Sequence, residues 1–105
     1  MYRALFEATP AFVWLTTAGN TRRTQLAAGA GWVRLNLATT AAGLALHPVS
    51  QSLQEYPEMA PLLHEVHDLL DAGPGERVQM LGRLGYGPTT PPSPRWPLES
   101  RIDAA

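Results

Sequence analysis

The stretch from about Arg22 to Leu46 constrains this chain most, because it holds one charge in its interior, Arg34. Leu26, Ala30, Val33, Leu37, Ala41 and Leu44 keep helical spacing along one face, while Ala28, Trp32, Leu35, Ala42 and Leu46 line a second. Thr21 stands in front as an N-cap. A helix apolar on nearly every side belongs at the centre of a fold. Its length would also cross a bilayer. Against that, a central arginine costs roughly 2.5–3.5 kcal/mol in lipid, and the surrounding Ala, Gly and Thr offset little of it. The expectation is a long buried central helix and no membrane. The small residues Ala27 to Gly31 suit close packing against a partner helix.

The flanking segments supply the rest of an α+β order. "AFVWLTT", Ala11 to Thr17, follows Pro10 and ends at "AGN", which reads as a buried strand. Gly43 and Pro48 in "GLALHPVSQ" lead the chain out of the long helix. "YPEMAPLLHEVHDLLDAGPG" is a second, amphipathic helix, with prolines for its first turn and Gly73-Pro74 as its stop. Its stripe is Met59, Leu62, Leu63, Val66, Leu69 and Leu70, and His64, Glu65, His67, Asp68 and Asp71 face water. "RVQMLGRLGY", Arg77 to Tyr86, reads as a second strand with Val78, Met80 and Leu84 inward. A third strand is available if the loop near Pro48 pairs. So thin a sheet cannot bury so apolar a helix, and a lone domain of this size buries only about two-thirds of its unfolded surface. The chain therefore calls for an oligomeric partner or for more of a larger fold.

Composition removes several function classes. Net charge is −1 over 105 residues, so no global field recruits nucleic acid or an anionic membrane. A hydrophobic content of 45% against 16% charged suits a globular chain. With no cysteine there are no disulfides, thiolate metal sites or cysteine nucleophiles. "MYRALFEATPAFVW" lacks the continuous apolar core of a signal peptide, and a cytoplasmic protein is expected.

Few motifs carry chemistry. "HEVH", His64 to His67, spaces its histidines i,i+3 rather than the i,i+4 of a zinc-protease helix. Asp68 lies four after His64 and allows a weak surface site, but a solvated helix face is the commoner outcome. His47 is a possible general acid or, more ordinarily, a hydrogen-bonded structural residue. Ser50 and Ser52 lack a nucleophile-elbow context, and no glycine run forms a phosphate loop. The tail, residues 85–105, is richer, with five of the ten prolines lying between Pro88 and Pro97. Composition leaves three readings open: a disordered terminus, a polyproline ligand, or an arm that presents Arg95 stiffly to an anion.

Taken in order, "LAAGAGWVRLNLATTAAGLALHPVSQSLQ" and "VQMLGRLGYGPTTPPSPRWPLESRI" resemble the C-terminal part of the FMN-dependent nitroreductase superfamily, particularly its Acg-like branch. The resemblance covers about Phe12 to Ile102, and rests on order and spacing rather than on one diagnostic motif. It implies a partial nitroreductase-like fold whose central helix forms a homodimer interface, with a C-terminal arm reaching over the partner. It further implies FMN as cofactor, NAD(P)H as electron donor, and hydride transfer in typical members. Two pieces of the cofactor site map onto this chain. The loop after the central helix matches Pro48, Val49, Ser50 and Gln51, whose backbone groups would address the flavin ring near N5. Arg95 matches the arm arginine that meets the FMN phosphate, and Ser93 stands where a lysine often accompanies it. The family's N-terminal half, with its Arg- and Ser-rich phosphate motif, has no counterpart before "FVWLTT", so a truncated form, a fragment or a mis-set start is expected. No catalytic acid or base is expected from this segment. The alternative is a flavin-storage or dimeric structural module without turnover.

Overall fold

The long apolar segment starts where its N-cap says it should. Thr21 is extended, and its Oγ1 accepts from the Thr24 amide at 3.2 Å. The helix stops at Ala41, short of Leu46, because Gly43 takes φ +74°, a left-handed turn that suits glycine. The amides of Gly43 and Leu44 then close back on the carbonyls of Thr40 and Thr39. Freed from the helix, the next residues pair as a strand.

The computed structural model describes residues 2–103, so Met1 and the last two positions of the tail lie outside the described residues. Among the described residues the order is α1 (Tyr2–Glu7), β1 (Ala11–Ala18), α2 (Arg22–Ala41), β2 (Ala45–Pro48), α3 (Ala60–Leu69) and β3 (Glu76–Gly85). Single 3-10 turns at Gln51–Leu53 and Pro57–Met59 precede α3, and another at Leu98–Arg101 sits in the tail. This is a mixed helix and sheet protein, as the α+β expectation has it. The sheet is antiparallel in the order β1-β3-β2, so the last strand is central and the loop near Pro48 does contribute the third strand. Pro48 is tolerated there because β2 is an edge strand.

A bulge decides which side chains share a face. Leu15 pairs with Met80 but Thr16 pairs with Val78, which leaves Gln79 as an extra residue on β3. Val78 therefore lies on the same face as Leu81 and Arg83, the partners of Trp14 and Phe12. Met80 and Leu84 lie on the other. The expectation of Val78, Met80 and Leu84 on one inner face assumed unbroken alternation, and the bulge overturns it.

Helix α2 covers the Met80, Gly82 and Leu84 face. Trp32 Cη2 and Leu46 Cδ1 come within 2.8 and 2.9 Å of where a Cβ at Gly82 would stand, so only glycine admits them. On the opposite face α3 sits over the start of β3, and Val78 beneath it is almost wholly inaccessible.

Burial is where the structure departs most from expectation. The buried apolar residues among those described are Ala28, Leu53 and Val78. Helix α2 is not buried as a whole: Leu26, Val33 and Leu37 are 72%, 58% and 67% exposed, while Ala28 and Thr39 face inward. Strand β1 is likewise an open edge strand, with Phe12 and Trp14 exposed. The accessible surface of 8397 Å² exceeds by about 2,600 Å² the roughly 5,800 Å² of a compact monomer of 11.4 kDa. The radius of gyration, 17.0 Å, is likewise well above the roughly 13 Å of a compact domain of this length. Residues 86–97 contribute to both, being exposed and free of helix or strand.

Candidate functional site

On the face away from α2 the sheet is only half covered. Strand β2 pairs with β3 only from Gly82 to Gly85, so the Val78 amide further down that edge has no ladder partner, and α3 supplies an acceptor. The Val78 N–H donates to His67 Nε2 at 3.0 Å. The ring's other nitrogen, Nδ1, lies 2.8 Å from the Leu63 carbonyl and must donate to it. Both bonds together fix the neutral Nδ1–H tautomer. His67 is thus half-buried and structural, which corrects its placement on the solvated face of the helix. Its nitrogens are spent, so the "HEVH" pair does not converge, and His64 faces Asp68 at 3.5 Å on the surface. No group of three or more metal-capable side chains gathers among the described residues.

Further along the same face the cover ends, and a cleft of about 880 Å³ opens. Leu5 and Phe6 of α1 form one side, Met59 and Leu62 another, and Leu81 its floor on β3. His47, Pro48, Val49, Ser50, Gln51 and Ser52 make the remaining wall together with Arg83. The structure thus brings together all four loop residues singled out from the sequence. The Val49 amide is committed to the Leu81 carbonyl at 2.8 Å, extending the β2–β3 ladder by one bond. The amides of Ser50 and Gln51 donate to no backbone acceptor among the described residues.

Arg95 stands apart from this group. It is exposed on the arm, donates to the adjacent Pro94 carbonyl at 3.1 Å, and does not line the cleft. The arm itself is not featureless. Arg101 lies over the Trp96 ring at 4.6 Å, and the Ser100 hydroxyl donates to the Pro97 carbonyl at 2.7 Å, so the tip folds back on itself.

Sequence reading missed two contributors. Helix α1 lies in a stretch whose sequence shows only the absence of a signal-peptide core, yet Leu5 and Phe6 line the cleft, and the Phe6 and Phe12 ring centres lie 6.4 Å apart. Arg83 was read only as part of a strand. Its signal was the position opposite His47, which becomes visible once β2 is known to pair. Arg83 Nε donates to His47 Nδ1 at 3.0 Å, which assigns His47 a hydrogen-bonded structural part.

Comparison with protein-family models, with curated proteins and with solved structures finds no match to this chain. Among the described residues no helix is long and apolar enough to cross a membrane.

Proposed function

We propose that this chain is part of an FMN-binding, NAD(P)H-dependent oxidoreductase of the nitroreductase type, whose flavin ring lies in the cleft beside Pro48–Gln51. One observation carries the reading: the four loop residues chosen on family resemblance all line a single large cleft. The cleft's chemistry suits a flat ring system. Its volume is ample, Phe6, Met59, Leu62 and Leu81 offer apolar contact, and the Ser50 and Gln51 amides are free to donate to a ring edge. The Val49 amide is spoken for, so the backbone contact passes to its two successors. FMN, when bound, supplies the hydride chemistry, and the chain binds and orients the ring and shields one side from water.

The phosphate contact fits less directly. Arg95 lies off the cleft of its own chain, so in this reading it serves the cleft of a second copy, or a site completed by an N-terminal half. The open face of α2, Leu26, Val33 and Leu37, supports such a partner. A cytoplasmic location goes with the reading.

The test is retention of FMN by the purified chain through desalting, with quenching of flavin fluorescence. Arg95→Ala should weaken retention about tenfold, the worth of a charge-assisted contact, while His64→Ala leaves it unchanged. No retention by the chain, alone or with an added N-terminal half, overturns the proposal. Retention without NAD(P)H oxidation assigns storage rather than turnover.

A further inference from the structure

Two arginines among the described residues are half-buried, Arg77 and Arg83, and they are treated differently. Arg77 has a carboxylate, Glu55, at 2.8 Å. Arg83 has none: its partners are the neutral His47 Nδ1 at 3.0 Å and the Thr9 hydroxyl at a long 3.5 Å. A partly desolvated cation without a counter-charge is costly unless something anionic completes it. The register places Arg83 between Phe12 on β1 and His47 on β2, on the face that forms the cleft. The bond from Nε steers the guanidinium. Nη1 makes only the long Thr9 contact, and Nη2 has no partner among the described residues. The terminal edge is thus left able to take a carboxylate in two parallel hydrogen bonds. Because His47 Nδ1 accepts, the neutral ring carries its proton on Nε2, a second donor at the same wall. Around this polar corner lie Phe6, Leu5, Met59, Leu62 and Leu81.

We propose that Arg83, positioned by His47, is the anion-recognition residue of a site for planar aromatic carboxylates. The carboxylate meets the free edge of the guanidinium, and the ring lies against the apolar walls beside Phe6. Such a site has the make-up of a small-molecule pocket: mostly apolar, with a few convergent polar groups. It stands whether or not a flavin shares the cleft.

The probe is 2-naphthoate, titrated into the full chain without FMN and followed by its own fluorescence, with 2-naphthamide as the uncharged analogue of the same shape. The expected result is saturable binding of naphthoate, weakened about tenfold by Arg83→Gln, with naphthamide affinity low and unaffected by the substitution. Arg83→Lys keeps the charge but loses the two-pronged edge, and should fall between wild type and Arg83→Gln. If Arg83→Gln does not fold, Arg83→Lys against wild type decides the matter. Equal binding of naphthoate and naphthamide, an affinity indifferent to either Arg83 substitution, or no naphthoate binding up to millimolar concentration overturns the proposal. Omitting FMN separates this outcome from failure of the flavin reading.

Discussion

The two faces of the central strand β3 meet opposite fates. Under α2, Gly82 brings Trp32 and Leu46 into close contact, and the face is closed. On the other side α3 covers Val78, and then the cover stops, leaving Leu81 and Arg83 at the floor and wall of a cleft. The same strand thus supports a packed layer and an open site, and the bulge at Gln79 assigns residues to each. The closed face depends on what is missing, a Cβ at Gly82. The open face depends on groups without partners among the described residues, a cation without a carboxylate and amides without acceptors. Both sides bury residues, Ala28 on α2 and Val78 beneath α3, and the half-covered side also keeps the cleft.

The sharpest way to break this division is Gly82→Val. A Cβ there meets Trp32 and Leu46 side chains and, at 3.3 Å, the His47 carbonyl, which cannot swing away. Overpacking of this kind should cost about 3 kcal/mol, read as a lowered midpoint in urea. His67→Phe probes the covered half of the open face. It keeps a flat aromatic ring, somewhat larger, but strands the Val78 amide, at a cost of about 2 kcal/mol, and hydrogen exchange at Val78 should accelerate. His67→Gln, which retains an acceptor, should lose less. Smallest is Arg83→Gln, where the cation has no carboxylate to lose. With the His47 bond lost, its effect on unfolding should stay within about 1 kcal/mol, even as naphthoate affinity falls. A large stability loss there would mean that the open face is structural after all.

Much of the architecture was legible because its signals are local. Thr21, Gly43 and the prolines before α3 punctuate the chain, and both long strands announce themselves by composition. The stop expected at Gly73-Pro74 falls earlier, at Leu69, and Asp71 takes φ 56° just after it. Burial was less legible. The apolar content of α2 reads as a core, yet Leu26, Val33 and Leu37 stay exposed, because periodicity says which residues share a face and not whether anything covers it. The face assignment on β3 failed because a bulge carries no distinct sequence mark. Of the site, Pro48–Gln51 came from family resemblance rather than from residue chemistry. The Arg83–His47 pair was invisible until β2 and β3 were in register, being a contact across 36 positions of chain.

The claim that the cleft receives the flavin is tested most directly by amide hydrogen exchange with and without FMN. The account expects slowed exchange at Ser50 and Gln51, little change at Val49, whose amide is already bonded to Leu81, and none along the surface of α3 at His64 and Glu65. Protection confined to residues outside the Leu5–Phe6 and Pro48–Gln51 walls, or exchange unaltered by saturating FMN, would contradict it.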